Sequence, residues 1–506
     1  MLKKSLSALA IACLCATAFA ADQKMDVDLV VIGAGAGDMS AGMAAVDEGL
    51  NTVILEKNGI VGGGGNFMEG TFAVGSALQK RDNVGVNPEK QFRRVMDFHH
   101  WRINGAALNN WLKETANTID WLQAHDINFE GVKTAFVDGN RTWHMFEGGH
   151  GSSLIRNFNK KIQEKGGKVL TSTLAQKLIL NDKGDVVGVI AKNSKGDTLT
   201  INSKNVIVAT GGFSGNKEMI KKYLPYDGYV GADSPGRTGD GINMMQAAGA
   251  ELVNMNVVMQ AGLWLKDVET GLQFGKEDGL TNAKYVRLLA ALNQPYLKVS
   301  LQGDCVCDET LPLEYLSNAF EEVGGEGFAM FDENTKKEMQ EQGLPRGYFG
   351  MVAVNTKFDN FDPLFEEGVK QGFAFKANTL EELAKLTGMD PERLKASAAK
   401  MNEMTAKRAD DQFYKDPQWL REVKTGPFHA IKGGLRMYAT TGGSKVNDKF
   451  QALKADGTPI KGLYAIGQDA GGLYSDSYDM HIAEGTASSW AIGGGRLAVR
   501  HIVTGK

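Results

Sequence analysis

Four apolar residues in a row, Leu29-Val-Val-Ile32, run into Gly33, Gly35 and Gly37, and small residues at helical spacing follow to Ala45. That order reads as a buried parallel strand, a tight turn and a helix. A second apolar run, Thr52-Val-Ile-Leu55, ends at Glu56. Residues 90–165 read as helical, with Trp111, Leu112, Ile119, Trp121 and Leu122 at core-like spacing. Strands are expected at Lys168-Val-Leu-Thr-Ser172, Lys177-Leu-Ile-Leu180 and Val186-Val-Gly-Val-Ile190, with Asn181-Asp-Lys-Gly184 as a hairpin turn. Another buried strand, Asn205-Val-Ile-Val-Ala209, ends at the small residues Thr210, Gly211 and Gly212, and Asp240 opens a helix through Ala248.

The pattern then changes. Strand–glycine–helix units stop near 254, and charged helical stretches such as Leu380-Glu-Glu-Leu-Ala-Lys-Leu386 take over. From about 424 the glycine-rich pattern returns, with Tyr438-Ala-Thr-Thr-Gly-Gly443, Gly462 to Gly472, and a last helix from about Glu484 to His501. The expected fold class is α/β, with one domain in two sequence pieces, 21–253 and 424–506, and an α+β domain inserted at 254–423. Residues 1–20 stand apart: Lys3 and Lys4 precede the apolar run Leu9 to Ala18, and Ala18-Phe-Ala20 forms a small-residue cleavage site. This is the layout of a signal peptide, so an exported, periplasmic protein starting at Ala21 is expected. No later run reaches the length of a membrane span.

Charge narrows the picture little. With Lys3 and Lys4 set aside, 54 of the 56 basic residues face 60 acidic ones, a mild net −6 that gives no reason to expect nucleic acid. Cys305 and Cys307 are too close for a bridge between elements and read as a reduced pair or a local disulfide. The histidines show no metal-ligand spacing, and no Cys-x-x-Cys-His is present.

The glycines carry the first chemistry. Gly33 permits the turn, Gly35 admits a pyrophosphate to the backbone, and the helix after Gly37 aims N–H groups at that charge. The spacing is G-x-G-x-G. Glu56, 23 residues after Gly33, stands where a ribose needs an acceptor. The second loop, Val61-Gly-Gly-Gly-Gly-Asn66, reads either as a surface turn or as backbone packed on a cofactor. The strand ending at Gly467, with Gln468 and Asp469 behind it, has the look of a ribityl-chain site.

Taken together, Gly33 to Gly37, Glu56-Lys57, Ala209-Thr-Gly-Gly212, Gly239-Asp-Gly241 and Gly462 to Gly472 resemble the FAD-binding flavoproteins of the fumarate reductase and succinate dehydrogenase group. The soluble exported branch, flavocytochrome c fumarate reductase and urocanate reductase, is the most similar. The resemblance implies a Rossmann-like FAD domain in two pieces and a mobile capping domain. It also implies cofactor contacts at Gly33, Gly35, Ala36, Gly37, Glu56, Lys57, Gly64, Gly65, Asn66, Ala175, Thr210, Gly211, Gly212, Asp240, Gln468, Asp469, Gly485 and Thr486.

Three departures shape the functional expectation. No histidine lies between Gly62 and Gly70, so FAD is expected without a covalent bond. Electrons are expected from a separate donor, such as a c-type cytochrome or a quinol dehydrogenase, because no haem motif accompanies the flavin domain. The positions that handle fumarate in the family read Gly262, Leu313, Tyr438 and Tyr478. Burying two carboxylates without cationic partners costs on the order of 3 kcal/mol or more each. An aromatic or enone-like unsaturated small molecule, neutral or singly charged, is the expected substrate.

Reduction of an activated C=C bond is the favoured activity, with Tyr478 as proton donor and Tyr438 as a second donor. Tyr478 can instead pack against the isoalloxazine. Arg436 reads equally as a holder of one carboxylate and as a surface or sheet-edge arginine. Ile482-Ala-Glu-Gly-Thr486 is expected to turn a positive helix end toward the reduced flavin. Two other functions remain open at this level: a dehydrogenase desaturating a ketone, and a non-catalytic flavin carrier.

Overall fold

The computed structural model describes residues 22–134, 139–230, 236–266, 268, 285–348 and 352–505. The expected signal peptide and its cleavage at Ala21 lie outside the described residues. Leu29–Ile32 sits inside a six-stranded sheet, flanked in parallel by Val206–Val208 and Thr52–Leu55. Beyond these come Lys168–Leu170 on one side and Pro459–Ala465, then the antiparallel Gln451–Leu453, on the other. Strands from near the two ends of the chain therefore complete one sheet. Leu29, Val30, Val31, Val206, Ile207 and Val208 are fully buried, which is why these runs are continuously apolar rather than alternating.

Helix Ala36–Asp47 crosses the last helix, Thr486–Thr504, over glycine. A Cβ on Gly495 would come 2.6 Å from the Gly37 carbonyl oxygen and 2.8 Å from the Ala41 nitrogen. Any side chain there would push the two helices apart. Beside this core a four-stranded sheet combines Asp22–Asp26, Thr198–Asn202, Val186–Asn193 and Thr173–Leu180. The expected hairpin turn forms, with the Asn181 N–H donating to the Asp185 carbonyl at 3.0 Å.

The helical reading of 90–165 is corrected in its middle. Helices Pro88–Phe98, Gly105–Ala124 and Ser152–Glu164 form, but Phe129–Lys133 and Trp143–Phe146 are strands paired antiparallel, with Gly70–Phe72 on the outer edge. Burial alternates along Trp143–Phe146, a period of two that a helical template conceals in so short a run. Trp111 is core, stacked on Phe72 with ring centres 5.2 Å apart.

The inserted region builds a five-stranded antiparallel sheet around Phe428–Thr440, a strand of 13 residues. Val258–Leu265 pairs along one side of it, and Glu326–Phe331, Ala374–Ala377 and, further out, Lys298–Ser300 complete the sheet. The central strand thus comes from beyond residue 423, where the second piece was expected to begin. Its far end leaves the cap: Thr440 Oγ1 accepts the Phe213 N–H at 2.9 Å, and the Thr441 N–H donates to the Val257 carbonyl at 3.0 Å. Inside the cap, Lys415 Nζ lies 2.8 Å from Glu309 Oε2, with both side chains almost fully buried. Cys305 and Cys307 are free thiols. Among the described residues no helix is long and apolar enough to cross a membrane.

Candidate active site

A cavity of about 340 Å³ runs from Glu56 to Tyr478 along the C-terminal edge of the six-stranded sheet. At one end, Glu56 follows its strand directly. Its Oε2 accepts the Ala34 N–H at 3.1 Å and its Oε1 accepts the Asn58 N–H at 2.7 Å. The carboxylate is thereby aimed by backbone rather than by a cation. Lys57 Nζ is paired with Asp240 Oδ2 at 2.7 Å, which ties the first loop to the helix Asp240–Ala247.

The glycine turns form the middle of the wall. Gly33 has φ +118°, and a Cβ there would lie 2.7 Å from the Ala209 carbonyl oxygen. Gly65 packs on the start of the first helix, where a Cβ would come 2.8 Å from the Ala36 nitrogen. Asp38, in the first turn of that helix, accepts the Gly35 N–H at 2.8 Å. Burial, with Glu56 and Asp469 nearby, raises its pKa well above the ordinary carboxylate range. Its Oδ1 is buried with no hydrogen-bond partner among the described residues. A neutral acid there can donate to a phosphate oxygen. Bare backbone, a helix N-terminus and this donor fit a dinucleotide pyrophosphate.

Further along, Asp469 Oδ2 accepts from both the N–H and the hydroxyl of Thr210, and its Oδ1 accepts the Gly212 N–H at 2.9 Å. Asp469 therefore lies behind the wall, fixing the turn that Thr210 and Gly211 present to the cavity. Asn66 is also behind the wall, its Nδ2 donating to the Val61 carbonyl at 3.2 Å. So are Gly212 and Thr486. The other expected contacts (Gly33, Gly35, Ala36, Gly37, Glu56, Lys57, Gly64, Gly65, Ala175, Thr210, Gly211, Asp240, Gln468 and Gly485) do face the cavity.

Tyr438, Tyr478, Met259, Met480 and Glu484 line the far end. Tyr478 is 3% exposed, and its ring meets Tyr474 edge-on at 5.5 Å. Burial and the nearby Asp479 raise its pKa far above the usual tyrosine value. Arg436 is buried rather than on the surface, and Val230 bridges to it beyond the end of the Glu326–Phe331 ladder, so it is not at a sheet edge. It stands one layer back, its guanidinium 3.6 Å from the Trp264 ring centre and 4.7 Å from that of Tyr438. Gly262 and Leu313 do meet, since a Cβ on Gly262 would come 2.8 Å from Leu313 Cδ2 and 2.7 Å from Asn293 Oδ1, so this junction of the cap offers no cation.

Sequence reasoning missed Asp38, Arg237 and the methionines. Arg237 crosses the cavity to donate to the Tyr438 carbonyl and lies against Gly64 and Gly211. Its one sequence signal is its place just before Thr238-Gly-Asp-Gly241.

The model of the FAD binding domain family matches residues 28–481. The chain belongs to this FAD-binding family. The flavoprotein is 31% identical to vinyl phenol reductase of Lactiplantibacillus plantarum over 482 residues, covering 94% of this chain and 96% of that one. It is 30% identical to urocanate reductase of Eggerthella lenta, covering 88% and 70% respectively. Its fold is that of an open flavocytochrome c3 fumarate reductase, with a TM-score of 0.66 and 23% identity over 94% of this chain and 79% of that one. The flavoprotein is a FAD-dependent oxidoreductase acting on carbon–carbon double bonds. Replacing Glu56 with alanine removes the carboxylate at the ribose end, and FAD binding is expected to weaken by about 1–3 kcal/mol. Titration of apoprotein with FAD checks this; unchanged affinity would take Glu56 out of the cofactor site.

Proposed function

We propose that this flavoprotein is an exported reductase of aryl-conjugated alkenes, vinylphenols or arylacrylates, with FAD held non-covalently and recharged by a separate electron-donor protein. The observation that carries the substrate class is the make-up of the cavity's far end: two tyrosine rings and two methionines, with the carboxyl of Glu484 beside them. Flat, polarizable walls of this kind suit an aromatic ring, and the phenol tips supply hydrogen bonds at its edge. Among the described residues of the wall, the cations are Lys57, already paired with Asp240, and Arg237. That supports at most one substrate carboxylate. The 31% identity to a vinyl phenol reductase points the same way.

When bound and reduced, the flavin supplies a hydride to one carbon of the double bond. The protein's part is to hold the aromatic ring, exclude water and supply a proton to the neighbouring carbon. We assign the last task to Tyr478, with Tyr438 as the second tyrosine on the wall. Gly485, at φ +84°, caps the last helix, whose first-turn residues Ala487 and Ser488 face the cavity. Its positive end favours an anionic reduced ring system.

Anaerobic assays with reduced methyl viologen should show turnover of 4-vinylphenol, 4-hydroxycinnamate or urocanate. Fumarate is expected to react at least about 100-fold more slowly, the factor equivalent to one unpaired carboxylate of ~3 kcal/mol. Comparable rates with fumarate would overturn the substrate class.

A further inference from the structure

Behind Tyr478 a line of polar groups leads away from the cavity to the surface. The Thr486 side chain stands beside the Tyr478 hydroxyl. Thr486 Oγ1 donates to Asp479 Oδ1 at 2.7 Å, and the Tyr474 hydroxyl lies 2.9 Å from Thr486 Oγ1. The other Asp479 oxygen, Oδ2, faces His99 Nε2 at 3.8 Å. Both side chains are 0% exposed, and neither of these two atoms has a hydrogen-bond partner among the described residues. On the far side of the ring, His99 Nδ1 accepts the Ser475 N–H at 3.4 Å. An amide N–H can only donate, so Nδ1 is the acceptor and the neutral ring carries its proton on Nε2, directed at Asp479.

The line continues outward. The Ser475 hydroxyl lies 3.4 Å from His99 Nδ1 and 3.1 Å from Asp476 Oδ2. Asp476 Oδ2 is also 3.1 Å from His100 Nδ1, and these two side chains are 47% and 72% exposed. The frame around them is firm. The Ile482 and Ala483 N–H groups both donate to the Asp479 carbonyl, and Gln91 Nε2 donates to the Ile482 carbonyl at 2.9 Å. The His99–Asp479 separation is longer than a hydrogen bond, and a shift of about 1 Å closes it; a turn of the Thr486 hydroxyl toward Tyr478 completes the inner end.

We propose that Asp479 and His99 form a buried proton relay that reprotonates Tyr478, with Asp476 and His100 as its entrance from solvent. The inference rests on Tyr478 being the acid of the proposed reaction. A tyrosinate waiting in this cavity is strongly disfavoured, because it is buried and Asp479, Glu484 and Glu314 lie near it. The proton therefore has to be replaced as it leaves. In the transfer the Tyr478 O–H bond breaks and a C–H bond forms on the substrate. The Thr486 hydroxyl turns from Asp479 to give its proton to Tyr478, and takes one from the Asp479 carboxyl. Asp479 takes the Nε2 proton of His99. His99 is reprotonated at Nδ1 through Ser475 as one proton enters at Asp476 and His100, and a half-turn of the ring then returns its N–H to face Asp479. Only protons move along this line; both electrons travel with the hydride and come from the external donor.

Asp479→Asn keeps the shape and the acceptor for Thr486 but cannot pass a proton between its two ends. Pre-reduced enzyme would be mixed, in H₂O and in D₂O, with the alkene that wild type reduces fastest, and flavin reoxidation followed. Asp479→Asn and His99→Gln should each slow reoxidation at least about tenfold and raise the solvent isotope effect, with FAD content and the rate of reduction by viologen unchanged. At the exposed entrance, His100→Ala combined with Asp476→Ala should slow reoxidation a few-fold in dilute buffer and recover in concentrated imidazole. Asp479→Asn reacting within twofold of wild type, with the same isotope effect, would overturn the relay. If that variant does not fold, the entrance pair decides: no slowing, or slowing that imidazole does not relieve, overturns it. Tyr478→Phe reacting like wild type would instead remove the acid itself, so the two failures are distinct.

Discussion

Replacing Tyr478 with phenylalanine should lower turnover by roughly 10²–10⁴-fold while FAD content stays normal. The substitution keeps the ring that meets Tyr474 and deletes only the hydroxyl. Nothing in the packing of the cavity wall is removed, so a large loss has to come from the missing proton or hydrogen bond. Burial makes wild-type Tyr478 a weak acid, but the acceptor, a carbanion-like carbon formed as hydride arrives, is a far stronger base than a phenolate. The proton therefore moves downhill. Turnover and flavin content measured side by side decide the matter; a variant within a few-fold of wild type would make Tyr478 a packing residue.

The second large effect is expected in the cap. Lys415→Met should cost about 3–5 kcal/mol of stability, because it leaves a buried carboxylate without its cation. Glu309 would keep the Lys298 N–H, which donates to its Oε1 at 3.1 Å, and the weak Cys305 thiol donor at 3.8 Å. The carbonyl of Pro295, now 2.6 Å from Lys415 Nζ, would lose its donor as well. Adding Glu309→Gln should return most of the loss, since the uncompensated charge is then gone. Denaturant melts of the FAD-loaded protein test both steps; a loss below about 1 kcal/mol for the single variant would mean water or Lys298 takes over the role.

The cofactor half was legible in the sequence because its physics is local. A buried strand must be apolar, a turn against a phosphate must be glycine, and the ribose carboxylate must follow the next strand. Fourteen of the expected contacts accordingly face the cavity. Those that do not (Asn66, Gly212, Asp469 and Thr486) hold the turns from behind. Motif spacing marks where a polar residue is needed but not which way its side chain points. Asp469 illustrates this, since its carboxylate is consumed by Thr210 and Gly212, far away along the chain.

The substrate half was less legible for the opposite reason. Arg436 and Tyr438 stand on one strand, yet only Tyr438 reaches the cavity, while Arg436 is sandwiched against Trp264. Arg237 reaches the same wall from a loop about 200 residues earlier, through a hydrogen bond to the Tyr438 carbonyl. Such meetings depend on how the inserted sheet is set against the flavin domain, and no local pattern encodes that. The two short strands Phe129–Lys133 and Trp143–Phe146 were hidden for a related reason, since they pair with each other and Trp143–Phe146 pairs in turn with the distant Gly70–Phe72.

The central strand of the cap sheet has a mechanical consequence. Phe428–Thr440 and Val258–Leu265 leave the cap as a hydrogen-bonded ribbon, not as two slack tethers, and that ribbon is anchored to Phe213 of the flavin half. A ribbon of this kind bends like a leaf spring. Swinging the cap would carry Met259 and Tyr438 with it, whereas the loop of Tyr478 is tied to the cap by a hydrogen bond from the His481 N–H to Glu314 Oε1 at 2.9 Å. The width of the substrate slot is then set by the stiffness of a β-ladder. The ribbon's two ends also lie side by side, the Thr441 nitrogen 3.0 Å from the Val257 oxygen. The cap's two seams are thus adjacent, but the cap also holds the earlier segment at Val230, whose N–H donates to the Leu435 carbonyl at 2.7 Å, so a different cap grafted onto the same flavin half would have to accept that segment as well.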